Sequence, residues 1–410
     1  MQILNRIKNN EIVKGSFVLF LLFNFFNFLN YLFQLAMARM LGPGDYGVFA
    51  SLMSFIYIFF MVANAIQLIS AKYSSEFNSK NRLDKIHGLL DKLTIKFIKI
   101  AFLCFILFVL ASYFISKVLD IDIYLIILTG VIIFAFFITP IFRGILHGMK
   151  KFNALGITMV VEGITKLAIG IPLVLLGWEV YGAIVSIILS IFLSFILSLP
   201  FIREVFKTKK EEVKLDNAYT YSFSVFYSLL IIFIMFSVDV LIAKVLFTSE
   251  TVGMYAVASL IGKTIFFGTD PISKAMFPIT SGKENNKDKK KSLRDATKIL
   301  LLLCGGALVV FTVIPRLVVW ILFGNQYLQI SNIIWLMGLA YTFLAFSSLF
   351  IHYGLSGNKF KGYYILTIFP FITISLLYIF SSSLIMFSYA FVISNLLMLM
   401  YSMFSVRRFE

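Results

Sequence analysis

Apolar runs long enough to cross a bilayer follow one another along almost the whole chain, and this leaves few folds open to it. About 20 apolar residues span the hydrocarbon core as an α-helix, and only helices or closed barrels satisfy every backbone polar group there. Twelve such runs are predicted, near residues 15–38, 47–70, 95–117, 124–147, 153–176, 180–202, 219–246, 252–277, 299–322, 331–355, 361–380 and 383–405. The 410 residues are 60% hydrophobic and only 14% charged, which excludes an ordinary soluble domain. An all-α polytopic membrane protein is expected.

The chain also repeats itself. ARMLGPGDYGVFASL, from Ala38 to Leu52, has a counterpart in AKVLFTSETVGMYAVASL, from Ala243 to Leu260. In each, a basic residue (Arg39, Lys244) precedes an acidic one (Asp45, Glu250), then glycine, an aromatic and alanine. GILHGMKKF and YGLSGNKF echo each other at nearly the same offset. Repetition over half of an apolar chain points to two like-oriented halves of a transporter. The expected division is a six-helix bundle over 1–202, a solvated cytoplasmic linker over 203–218 and a second six-helix bundle over 219–410, related by a pseudo-two-fold axis along the membrane normal.

A net charge of +16 could signal nucleic acid, so its distribution decides. With the N-terminus in the cytoplasm, the basic clusters at Lys72 to Lys99, Arg143 to Lys151, Arg203 to Lys214, Lys274 to Lys298, Lys359 with Lys361, and Arg407 with Arg408 all fall inside. That is the positive-inside bias. It gives a multi-pass plasma-membrane protein with both termini cytoplasmic and no nucleic-acid partner. Residues 1–14 read as an amphipathic segment on the inner leaflet. The first run is followed by ARMLGP rather than a small-residue cleavage site, and so reads as a span. Cys104 and Cys304 fall inside spans, where packing explains them.

Polar side chains inside a bilayer are costly and tend to face a cavity or a partner. Asn24, Asn27, Asn30 and Gln34 are predicted to share one face of the first span, and Asn64 and Gln67 extend the set on the second. Asp239, Lys263 and Asp270 offer the equivalent groups in the seventh and eighth spans. Together they form the expected substrate cavity. Glu162 and Lys166, four residues apart, read either as a structural ion pair or as a coupling site for a proton or Na⁺. Arg39, Arg143 and Lys244 are candidates for phosphate contact, joined by Lys263, and His147 lies one turn from Arg143. No catalytic or metal-binding constellation and no nucleotide loop is found, so neither an enzyme nor a cofactor is expected.

Arg39, Leu41, Gly42, Pro43, Asp45, Tyr46 and Gly47 form an Arg-x-Leu-Gly-Pro-x-Asp-Tyr-Gly string. Through it the chain resembles the oligosaccharide flippase (polysaccharide biosynthesis) family of the multidrug/oligosaccharidyl-lipid/polysaccharide exporter superfamily. The second copy departs from the pattern, with Phe247 and Thr248 where the first has Gly-Pro. The resemblance implies a fold like that of MATE drug exporters, with two six-helix bundles around a central cavity. It further implies movement of a polyprenyl-phosphate or polyprenyl-diphosphate oligosaccharide from the inner to the outer leaflet by alternating access. Membrane lipids and the glycosyltransferases or polymerase of the same pathway are then the expected partners. Two other readings stay open: a cation-coupled drug antiporter, and a non-transporting scaffold of a polysaccharide assembly complex.

Overall fold

In the computed structural model, residues 11–213, 219–281, 286–356 and 363–408 are described. The expected surface segment at the N-terminus, the cluster at Lys359 and Lys361 and the end of the linker lie largely or wholly outside them. Every described element is helical. Where the apolar runs are interrupted, the interruptions are local. Helix α1 (Glu11–Ser79) carries the first two spans and bends at Gly42, whose φ of 71° favours glycine, with Pro43 opening the continuation. Helix α2 (Leu83–Leu119) stops at Asp120 in the left-handed conformation. The Asp122 side chain then accepts from the Tyr124 amide at the start of α3 (Ile123–Gly130), which runs into α4 (Ile132–Gly148). Helices α5 (Phe152–Leu173) and α6 (Glu179–Phe201) meet at a bend at Gly177. A short turn, α7 (Arg203–Phe206), follows.

The second half begins with α8 (Tyr219–Leu246) and α9 (Ser249–Ser281). Helix α10 (Asn286–Val313) ends earlier than the expected ninth span, because Pro315 starts a separate short helix, α11 (Pro315–Phe323). Helices α12 (Ile334–Ser356), α13 (Ile368–Ile379) and α14 (Leu384–Arg408) complete the chain. Nine of the described helices are long and apolar enough to cross a membrane. Two of these each carry two passes across a bend, and the shorter Tyr364–Ile379 is also apolar, so the set is compatible with twelve passes. Large apolar side chains such as Leu103, Leu110 and Phe114 on α2 and Leu302 and Val309 on α10 lie exposed, as lipid-facing surfaces do.

Two compact units emerge, and their boundary differs from the expected division. One takes the described residues through Leu41 and those from Phe59 to 213; the other takes Gly42–Ile58 and everything described from Tyr219 onward. The start of the second span therefore packs with the second half of the chain. Its contacts explain why. A Cβ at Gly47 would stand 2.1 Å from the Ser249 carbonyl oxygen, and one at Gly253 would stand 1.8 Å from that of Pro43. In both pairs the glycine of one copy seats against the turn of the other, within one position of strict correspondence, so the copies pack on each other nearly reciprocally.

The linker is also not simply solvated. Up to residue 213 it lies along the start of α2: His87 Nδ1 meets the Thr208 carbonyl at 2.7 Å, Lys92 donates to the Val213 carbonyl at 2.7 Å, and Lys210 pairs with Asp91 at 2.9 Å. Arg82 pairs with Glu211, and Val205 and Val213 are buried. Two buried valines together with these polar contacts hold the strap against α2.

Because backbone atoms block a side chain at Gly253, Gly253→Ala is expected to lower the thermal unfolding midpoint, at a cost of about 1–3 kcal/mol. Gly305→Ala, which meets nothing within 4 Å, serves as the control and should leave stability unchanged or raised. Equal midpoints for Gly253→Ala and wild type in detergent would contradict the close packing of the two copies.

Candidate functional site

Helices in lipid gain little from hydrophobic association, so small residues that let backbones approach set the packing. In the first unit, Gly156, Gly163 and Gly170 recur every seventh residue of α5 and face Leu22, Leu29 and Phe33 of α1. A Cβ at Gly156 would stand 2.2 Å from the Leu22 side chain, so this face admits nothing larger. The buried serines Ser186, Ser190, Ser194 and Ser198 recur at four-residue spacing on α6, and Ser186 meets Gly170 where Phe33 also approaches. These surfaces bring Asn30 of α1 and Ser194 of α6 to the charged residues of α5.

The result is a chain of polar groups across four helical segments. Arg143 of α4 donates from Nη2 to Glu162 Oε2 at 2.6 Å and to Ser194 Oγ at 2.7 Å, and Ser194 in turn donates to the Thr158 carbonyl at 2.8 Å. Glu162 Oε1 lies 3.9 Å from Lys166 Nζ, whose close bond goes instead to Asn30 Oδ1 at 2.6 Å. The Phe33 ring centroid is 5.7 Å from the same ammonium. Asn30 completes the series by donating to the Phe26 carbonyl at 3.0 Å. The Arg143, Lys166 and Glu162 side chains are only 12%, 10% and 7% exposed. One carboxylate thus serves two cations, and its nearer partner is Arg143 rather than the Lys166 expected from spacing. Arg143 Nε is buried and has no partner within the protein.

Arg143 and Glu162 stand at the wall of a cavity of about 470 Å³ within this unit. Its lining is mostly apolar and aromatic, including Phe23, Phe26, Phe60, Phe136 and Met159, with Asn27, Asn64, Gln67, Thr139 and His147 among the polar groups. The size and character suit a moderately large organic group. Of the amide stripe expected on the first span, Asn27 lines the cavity, Asn30 turns to Lys166, Gln34 is buried and Asn24 is exposed. Steps of three residues fall about 60° short of a full helical turn, so the stripe winds around α1 rather than staying on one side.

The expected counterparts from the second half occupy a different setting. Asp239 is fully buried in the second unit, where its Oδ2 accepts from Ser259 at 2.7 Å, Tyr341 at 3.0 Å and Tyr255 at 3.3 Å. Its Oδ1 has no partner within the protein. Lys263 is buried among three rings, with centroids of Phe236, Tyr57 and Tyr341 at 4.8, 5.7 and 5.8 Å. Asp239 and Lys263 attract each other electrostatically, and Tyr341 touches both. Neither residue is among those lining the cavity of the first unit. Lys244 is buried and donates to Ser249 Oγ, Asp270 is half-buried, and Arg39 is exposed. Cys104 and Cys304 are free. No cluster of three metal-ligating side chains occurs among the described residues.

Residues 36–332, more than half of the chain, match the profile of a family described as polysaccharide biosynthesis protein. The chain belongs to that family. Among solved structures, the chain is similar to an inward-facing multidrug resistance MATE family transporter of the MOP superfamily. The two share 14% identity and a TM-score of 0.72 over 92% of this chain and 93% of that one. It is also similar to the lipid II flippase MurJ in an inward closed conformation, with 16% identity and a TM-score of 0.70 over 95% of this chain and 87% of that one. A MATE in a straight conformation follows at 16% identity and a TM-score of 0.63, covering 97% of this chain and 95% of that one. None of the curated proteins matches in sequence. At such identities the likeness shows the fold alone, a helical architecture like that of MATE and MurJ in a multi-pass membrane protein.

Sequence reasoning missed Ser194, Tyr57, Ser259 and Tyr341. Ser194 had a signal in the four-residue serine spacing of α6, whereas the rings around Lys263 resemble many others in a chain with 47 Phe and 19 Tyr. Removing one member of a buried charged cluster strands the other, at a cost of about 3–5 kcal/mol. Asp239→Leu is therefore expected to destabilise the family member strongly, and adding Lys263→Met should recover part of the loss. Strict additivity of the two substitutions, measured by unfolding in mixed micelles, would contradict their coupling.

Proposed function

We propose that this protein is a flippase for an amphiphile with a phosphate-bearing, sugar-containing head group, moved from the inner to the outer leaflet by alternating access. The observation that carries the reading is the cavity of the first unit: aromatic and aliphatic walls, amide side chains, and a guanidinium whose Nε is unmatched by any protein acceptor. Hydroxyl-rich sugars are bound by amides and by the faces of aromatic rings. Phosphate is bound by the planar fork of arginine. The ionic groups at and behind the wall are two cations and one carboxylate, which leaves one positive charge in excess and favours an anion over a cation as cargo.

The family description and the likeness to MurJ, whose own cargo is named as lipid II, support a lipid-linked glycan intermediate. A polyprenyl-phosphate or polyprenyl-diphosphate oligosaccharide meets the chemistry. Its head group cannot cross hydrocarbon unaided, and its tail need not leave it. Both termini are then cytoplasmic, in keeping with the basic loops, and the enzymes that build or polymerise the glycan are the natural neighbours.

Arg143→Gln removes the positive fork while keeping a polar side chain. A charge-assisted hydrogen bond contributes about 1.5–3 kcal/mol, so flipping of a fluorescent polyprenyl diphosphate disaccharide in proteoliposomes should slow by about tenfold or more. Lys99→Gln, on the exposed face of α2, should leave the rate unchanged. Wild-type rates in a well-folded Arg143→Gln protein would overturn the assignment of the cavity.

A further inference from the structure

We infer that Glu162 is a built-in competitor of the cargo's phosphate, holding Arg143 until the cargo displaces it and then passing to Lys166. The inference rests on the flippase reading above and specifies how that same site is regulated. A guanidinium binds an oxyanion best with two parallel N–H donors. Here Nη2 is engaged by Glu162 at 2.6 Å and Ser194 at 2.7 Å, while Nε, buried beside the cavity, finds no protein acceptor. A purely structural ion pair would satisfy both donors, since a buried unmatched donor costs about 1–3 kcal/mol. The fork is half occupied.

A phosphate reaching Arg143 from the cavity completes the fork only by taking the place of the Glu162 carboxylate at Nη2 and drawing on the buried Nε. That carboxylate has a second cation within reach. Lys166 lies one turn further along the same helix, with Nζ already 3.9 Å from Oε1. A full ion pair there draws the ammonium from Asn30, which it now holds at 2.6 Å. Cargo arrival at α4 is thereby felt on α1, the helix that passes from one compact unit into the other at Gly42. Before cargo arrives the two cations share Glu162, and with cargo bound each has an anion of its own, which keeps the exchange cheap in a low-dielectric setting. The return of Glu162 to Arg143 assists release of the phosphate. Affinity for cargo is then the difference between two anions competing for one arginine.

Phosphate chemistry is common to a lipid head group and to a free anion, so two probes are needed. The test measures binding of polyprenyl diphosphate, and separately of inorganic diphosphate, to the full chain in nanodiscs. Wild type, Glu162→Gln, Glu162→Asp and Arg143→Gln are compared, with each protein's unfolding midpoint recorded. Glu162→Gln is expected to bind polyprenyl diphosphate about tenfold more tightly, the scale of one charge-assisted bond. Glu162→Asp, which keeps the charge at a longer reach, should fall between it and wild type. This holds the test open if the glutamine variant is too unstable to study. Tightening with the lipid alone assigns the seat to a head group, and tightening with both probes assigns it to phosphate whatever its carrier. Unchanged or weaker binding by the Glu162 variants, with Arg143→Gln still deficient, would overturn the competition and leave the flippase reading intact. Undiminished binding by Arg143→Gln would instead overturn the flippase site itself.

Discussion

Arg143, Glu162 and Lys166 share one restriction: a charge inside a membrane protein must be answered by an opposite charge, by hydrogen-bonding groups or by an aromatic face. Three charges with a net excess of one are held between α1, α4, α5 and α6, and the surplus is met only in part, by Asn30, Ser194 and the face of Phe33. The arrangement stabilises the bundle and at the same time leaves it short of one anion. Arg143 and Glu162 line the same cavity as Asn27, Asn64 and Gln67, which is where the proposed anion would be met. The packing of this cluster and the anionic cargo proposed for it rest on the same charge balance.

Charges can be placed this tightly only because the backbones come close. Gly156, Gly163 and Gly170 clear room on α5 for α1, and the small serines of α6 let it approach as well, with Ser186 against Gly170. The same device recurs where Gly47 and Gly253 seat against Ser249 and Pro43 in the second unit. There, each copy's glycine seats against the other copy's turn, a near-reciprocity that preserves a trace of the internal repeat even though Phe247 and Thr248 have replaced Gly-Pro in the second copy. The second unit answers its own charges differently. Asp239 is held by three hydroxyls, and Lys263 sits among rings that include Tyr57 from the crossing segment.

Much of the fold was legible because span length and loop charge are set by the bilayer, and neither depends on tertiary detail. The bends at Gly42 and Gly177 merged spans that hydropathy separates, while Pro315 ended one that hydropathy prolongs. The site was legible as a list of residue types but not as a set of partners. Glu162 and Lys166 announce themselves by spacing, yet the closer bond of Glu162 goes to Arg143, nineteen positions away, because α4 presents its arginine at that level of α5. Asp239 and Lys263 were read as cavity groups by their cost in lipid. Burial against aromatic rings and hydroxyls answers that cost equally well, and a single sequence holds no sign of which solution the packing takes.

The most direct measurement is photo-crosslinking of membranes containing the protein with a diazirine-bearing polyprenyl diphosphate sugar, followed by peptide mapping. Labelling concentrated on the stretches Ala135–His147 and Phe152–Glu162, and suppressed by unlabelled carrier, is the result expected of a cargo seat at Arg143. Specific labelling confined to peptides beyond Tyr219, with none in those two stretches, would contradict it.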